Sequence, residues 1–171
     1  MKKIIFVLST SLLLTSCEEG KVPPEKTFNM PQPLDSQNNG QLQTVSLTIK
    51  AIGNNMTAIA FEPKEIEVHV NSIIEITLIN ESTVEGMNHN IVFVELGSGA
   101  EVSAEGLAIG PEKEYIPNNP KVIAGSKVAL PGETIQMHFS APKAGSYHFI
   151  CTYPGHYPQM IGRMNVVQMT Q

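Results

Sequence analysis

The chain has 171 residues, which fits one domain with appendages. Apolar residues make up 42% and charged residues 16%; the first is enough for a real core, and the second is low for a cytosolic enzyme. The formal net charge of −5 argues against nucleic acid as a partner.

The first stretch, "MKKIIFVLSTSLLLTSC", reads as a targeting segment. Lys2 and Lys3 form a positive start, and Ile4 to Leu14 form an apolar run too short to span a bilayer. It ends in "LTSC", which resembles the bacterial lipobox. That resemblance implies a lipoprotein signal over 1–16, with Cys17 receiving the lipid and anchoring the chain to a membrane of the exported cell envelope, facing the periplasm or the exterior. An ordinary secretory signal with a chance cysteine is the other reading. Loss of Lys2 and Lys3 takes the formal charge from −5 to −7. Residues 17–42 follow as a tether: four prolines, several Asn and Gln, and few large apolar side chains leave nothing to bury. Extended, it reaches roughly 75 Å.

From residue 43 to 171 the chain reads as one β domain. "TVSLTIK" sets Val45, Leu47 and Ile49 on one face. "EIEVHV" sets Ile66, Val68 and Val70 against Glu65, Glu67 and His69. "IIEITLIN", "NIVFVEL", "TIQMHF", "SYHFIC" and "GRMNVVQM" continue the series, separated by Gly, Pro and Asn turns. Period-two alternation at this spacing predicts an all-β sandwich or barrel. The stretch 97–115, "GSGAEVSAEGLAIGPEKEY", breaks the pattern as a long insertion with room for a short helix, although its glycines disfavour one.

The chemistry concentrates in "CTYPGHYPQM" (151–160), which falls on the turn between the last two strands. With Cys17 claimed by lipid, Cys151 is a lone thiol in an oxidising compartment, a liability unless a metal holds it. Cys151, His156 and Met160 share this loop, and His89 in "GMNHNIVF" opens an earlier strand whose end can meet it at one pole of a sandwich. Zinc usually takes another Cys, His or carboxylate rather than Met. Thiolate and thioether suit Cu(I), imidazole also serves Cu(II), and trigonal His₂Cys with a weak axial Met is the blue-copper set. Competing readings are a Cys151–His156 nucleophile pair, which lacks an orienting third group, and a structural zinc. His69, His138 and His148 sit in strand alternation and read as surface or rim residues.

"CTYPGHYPQMIG" and "GMNHNIVF" resemble the copper-binding segments of the azurin and auracyanin family of blue copper proteins, the cupredoxins. "EYIPNNPKVIAGSKVALPGET" and "IGNNMTAIAFEP" resemble two further azurin stretches, so the likeness spans roughly 45–169. It implies a Greek-key β-sandwich and one mononuclear type 1 copper held by His89, Cys151 and His156, with Met160 axial. It also implies that the carbonyl of the residue before the first histidine, here Asn88, lies near copper; azurins carry glycine there, and the asparagine departs from the pattern. Asn90 matches an asparagine that ties the two ligand loops together, through the Cys151–Thr152 region. The azurin disulfide has no counterpart, its buried tryptophan corresponds to Ile91, and "LINESTVEG" lacks the histidine of its pH-linked change.

Four protein donors leave no open position for a substrate, which points away from an enzyme and towards one-electron transfer. The resemblance implies that His156 presents its ring edge within an apolar patch, formed or bordered here by Met56, Met87, Tyr153, Pro154, Tyr157 and Pro158. Such a patch suits brief encounters with redox proteins such as cytochromes or oxidases. A copper carrier or buffer of the envelope is the alternative, and it would need a ligand set that opens.

Overall fold

The computed structural model describes residues 42–169. The signal, Cys17 and the tether up to residue 41 lie outside the described residues.

Among the described residues nine strands and one α-helix follow in order: β1 Gln43–Ile52, β2 Ala60–Glu62, β3 Glu65–His69, β4 Ser72–Asn80, β5 Val92–Glu95, α1 Gly99–Ile109, β6 Val122–Gly125, β7 Thr134–Ser140, β8 Gly145–Ile150 and β9 Ile161–Val167, with a 3-10 turn at Pro111–Lys113 after α1. They form two sheets, ordered β2-β1-β4-β7 and β3-β9-β8-β5-β6. Pairs β1/β4 and β3/β9 are parallel, and every other pair is antiparallel. This is the expected all-β sandwich with a short helix.

The alternation sets the faces. Ile66 and Val68 of β3, and Ile74, Ile76 and Leu78 of β4, are buried, while Glu65, Glu67 and Glu75 between them are exposed. Burying a side chain of this size contributes roughly 1.5–3 kcal/mol. Between the sheets Phe149 meets Phe61 edge-on with ring centroids 5.4 Å apart, and Phe93 lies 5.7 Å away. Opposite Phe149 in the register stands Gly162. A Cβ there would fall 2.1 Å from the Phe149 ring, so the core needs glycine at that point.

The insertion does hold a helix, and its glycines are the reason it packs. Gly99, Val102 and Gly106 are the buried residues of α1. A Cβ on Gly106 would stand 2.4 Å from the Tyr115 carbonyl oxygen, and one on Gly99 would stand 2.8 Å from the Tyr157 ring. The propensity lost at glycine is recovered as close approach to the loops that carry Tyr115 and Tyr157. Beneath α1 lies a second small core of Val92, Val94, Val102 and Ile150.

Candidate metal centre

β4, β5 and β8 bring their site-bearing ends to one pole. Asn80, the last residue of β4, is fully buried there and organises two loops. Its Nδ2 donates to the carbonyls of Met87 at 2.8 Å and Ala129 at 3.0 Å. Ala129 in turn exchanges two backbone hydrogen bonds with His89, at 3.1 and 2.7 Å. His89 is thus fixed by its own main chain before its side chain does anything. The Ser126 hydroxyl accepts the N–H of Ile91 at 3.1 Å and secures the entry to β5.

The second segment closes on itself. Cys151 N–H donates to the Met160 carbonyl at 3.1 Å, Met160 N–H to the His156 carbonyl at 2.9 Å, and His156 N–H to the Tyr153 carbonyl at 3.1 Å. Gly155 supplies the left-handed conformation, φ 82°, that this tight turn requires. Cys151, Met160 and His156 are all buried, and the first two belong to the main core.

Three donor atoms converge. His89 Nδ1 and His156 Nδ1 are 3.0 Å apart, and Cys151 Sγ lies 3.5 Å from His156 Nδ1 and 4.0 Å from His89 Nδ1. A triangle with these sides has its equidistant point about 2.1 Å from each corner, which is the length of a metal–imidazole bond and close to that of a metal–thiolate bond. Among the described residues this is the group of His, Cys, Asp and Glu side chains able to hold a metal ion. Met160, four residues beyond His156, adds a buried thioether to the same loop.

The electrostatics favour a metal over a proton. Burial, with the nearby His156, lowers the pKa of His89 to about 4, and burial lowers that of His156. Both imidazoles are therefore neutral at pH 7 and keep a lone pair to donate. The Nε2 of His89, on the other edge of its ring, is buried and meets no hydrogen-bond partner. Burial pushes the Cys151 thiol up to about 12, and the backbone N–H groups of Asn90 and Tyr153 offset part of that rise. A thiolate here needs a cation beside it. Two neutral imidazoles, a thiolate and a thioether fit copper.

Asn90 links the two segments. Its Oδ1 accepts the Thr152 N–H at 2.9 Å, and its Nδ2 donates to Thr152 Oγ1 at 2.8 Å and to the Glu114 carbonyl at 2.7 Å. Glu114 stands at φ 54°, and its carboxylate accepts the Val128 N–H at 2.8 Å. Asn88 is half-buried, and its side chain donates to the Tyr153 hydroxyl at 3.2 Å. Glu114, Asn80, Ser126 and Ala129 carry no motif that would single them out in the sequence.

The expected patch residues are distributed unevenly. Met56 is 41% exposed and lies against Gly155, 3.3 Å from where its Cβ would be. Met87 and Tyr153 pack against the main core at this pole, and the Tyr153 ring sits 5.1 Å from that of His156. Pro154 is half-buried and Pro158 exposed. Tyr157 turns away to pack on Gly99 and the small core under α1. The His156 side keeps only 2% exposure. His69 and His148 are half-buried and His138 exposed, on β3, β8 and β7, and none of the three belongs to the donor group.

A family model described as copper binding proteins, plastocyanin/azurin family, matches residues 46–167. Auracyanin-A of Chloroflexus aurantiacus is 37% identical over 118 residues, covering 67% of this chain and 72% of the relative. Azurin of Pseudomonas chlororaphis is 38% identical over 80 residues, 44% of this chain and 62% of the relative. Among solved structures, the blue copper protein auracyanin A from Chloroflexus aurantiacus superposes with a TM-score of 0.67 at 35% identity, covering 72% of this chain and 99% of that one. A dithionite-reduced auracyanin from Roseiflexus castenholzii gives 0.65 at 35% identity, covering 73% and 98%.

Proposed function

The chain belongs to the plastocyanin/azurin family of copper-binding proteins and is a blue copper electron-transfer protein, and from that premise we propose that His89, Cys151 and His156 would hold its one copper, with Met160 of the same loop as a fourth, weaker donor. The observation that carries this ligand set is the triangle of two Nδ1 atoms and one Sγ around a point about 2.1 Å from each. When bound, copper supplies the one-electron change between Cu(II) and Cu(I).

The protein's own residues do the rest. Burial keeps both imidazoles unprotonated, so no proton competes for their lone pairs at neutral pH. Backbone hydrogen bonds hold His89 from Ala129 and hold Cys151 from Met160. Asn90 and Thr152 keep the two ligand segments in register. With the donors fixed by the fold rather than by the metal, little has to move when the charge at the site changes. A carrier or buffer would need donors that swing open, and these three side chains are 0–2% exposed.

Electrons pass to and from redox proteins; we assign the docking patch to the pole around His156, with Met56, Met87, Tyr153 and Pro154, bordered by Tyr157 and Pro158. The partners we expect are cytochromes or oxidases of the cell envelope. "LTSC" supports a lipid anchor at Cys17 on the exported side of a membrane. Cys17→Ser should move the protein to the soluble exported fraction with copper binding intact; an unchanged membrane fraction would remove the anchor. For the site itself, the test is Cys151→Ser. The wild type should show an intense thiolate-to-copper band in the red, and the variant should lose it even where copper still binds. Retention of that band would sink the ligand assignment.

A further inference from the structure

His89 is flanked by two asparagines, and the Cys151 side answers both. In extended chain, residues 88 and 90 point the same way, opposite to 89. Asn90 reaches Thr152 and Asn88 reaches Tyr153, the two residues that follow Cys151. The two contacts differ in what they hold. The Asn90 contact is buried and grips main chain, so it positions the Cys151 end of the loop. The Asn88 contact is only partly buried and grips a phenol hydroxyl at 3.2 Å. That phenol ring lies 5.1 Å from the His156 imidazole at 51° and 5.3 Å from Tyr115 at 73°. It can tilt only if it leaves one of these neighbours.

We infer that Asn88 is a positioning residue for His156, acting through the Tyr153 hydroxyl, so that the side chain before one histidine ligand sets the ring orientation and solvent cover of the other. This rests on the copper reading above. The half-buried Tyr153 ring lies beside the buried His156 ring, and on this inference it is the cover that limits water there. Freed from Asn88, the ring gains a rotational option, water gains access to the imidazole, and the site gives up copper more readily. The charge environment of the site then changes with the water.

The test is a double-mutant cycle on the copper-loaded protein: Asn88→Ala, Tyr153→Phe and both together. The readouts are the rate at which a chelator captures Cu(II), the copper hyperfine splitting and the reduction potential. Each single variant should speed copper capture about two- to tenfold, the range spanned by the net worth of one hydrogen bond. The pair together should be no faster than either alone, because both remove the same bond. The potential and the splitting should follow the same non-additive pattern, which general loosening of the fold would not produce. Asn88→Asp should bring the capture rate back towards wild type, since the hydroxyl can donate to the carboxylate. Tyr153→Phe removes one oxygen and leaves the core intact, so the cycle has at least one well-folded arm. If Asn88→Ala keeps its full effect in the Tyr153→Phe background, if no variant shifts the three readouts, or if Asn88→Asp releases copper as fast as Asn88→Ala, the inference is overturned. A wild type without the red band would instead overturn the copper ligand assignment, so the two failures are distinct.

Discussion

Replacement of Asn90 by alanine should cost the fold and the metal site separately, and the two losses can be measured apart. Asn90 is fully buried and makes three strong contacts: from the Thr152 N–H at 2.9 Å, to Thr152 Oγ1 at 2.8 Å and to the Glu114 carbonyl at 2.7 Å. Alanine leaves the Thr152 N–H with no partner in a residue 1% exposed, a cost of about 1–3 kcal/mol. The Glu114 carbonyl belongs to a half-exposed residue, so water can replace the lost donor, and the net cost there is about 1 kcal/mol. The Thr152 hydroxyl can rotate and contributes less. The total is about 2–4 kcal/mol, or a melting point lower by roughly 10 °C for a domain of this size. The apoprotein reports this loss alone. In the copper protein a further loss should appear, because removing a group that orients a metal ligand lowers metal affinity about 10–100-fold, and stability follows affinity. The assay is urea unfolding at pH 7 with and without copper, with Thr152→Val as control, since that change removes the hydroxyl bond and leaves the Thr152 N–H paired. A loss below about 1 kcal/mol in apo Asn90→Ala, or one no larger than that of Thr152→Val, would refute the reasoning.

Three further outcomes follow from the same geometry. Met160 should tune the site more than assemble it: Met160→Gln offers a harder oxygen that favours Cu(II), and Met160→Leu offers no donor, so voltammetry should order the potentials Gln lowest, wild type between and Leu highest, with all three blue; indistinguishable potentials would exclude Met160 as a ligand. Gly162→Ala should destabilise by about 1–3 kcal/mol or more through overpacking, because its Cβ meets the Phe149 ring at 2.1 Å; urea midpoints check this, and adding Phe149→Leu should recover part of the loss. Acid should weaken the apoprotein through its buried histidines. His89 has its folded pKa lowered to about 4 from an ordinary 6.5, so the unfolded chain binds the extra proton first; the stability is full above about pH 6.5 and lost as pH falls to about 4, with roughly 3 kcal/mol from His89 alone. A urea midpoint that stays flat from pH 8 to 4 would contradict that account.

The sequence alone determined what depends on neighbours within a few residues. Period-two alternation in "TVSLTIK", "EIEVHV" and "IIEITLIN" marked β1, β3 and β4, because a half-buried strand has to alternate. Cys151, His156 and Met160 were legible as a set because one loop carries all three. β2 and β6, of three and four residues, were not legible, since so short a run holds no period and neither sits in a run of four β-branched or aromatic residues, as the comparably short β5 does in "NIVFVEL". Glycine is a poor helix former, so the local sequence disfavours α1; that Gly99 and Gly106 are its contact face depends on Tyr157 and Tyr115, which only the folded chain brings there. The approach of His89 to Cys151 across 62 positions, and the support from Asn80, Ala129, Ser126 and Glu114, likewise belong to tertiary structure. Local pattern reports which face of a strand is apolar. Which strand ends share a pole, and which polar groups meet there, is settled by sheet pairing across the whole domain.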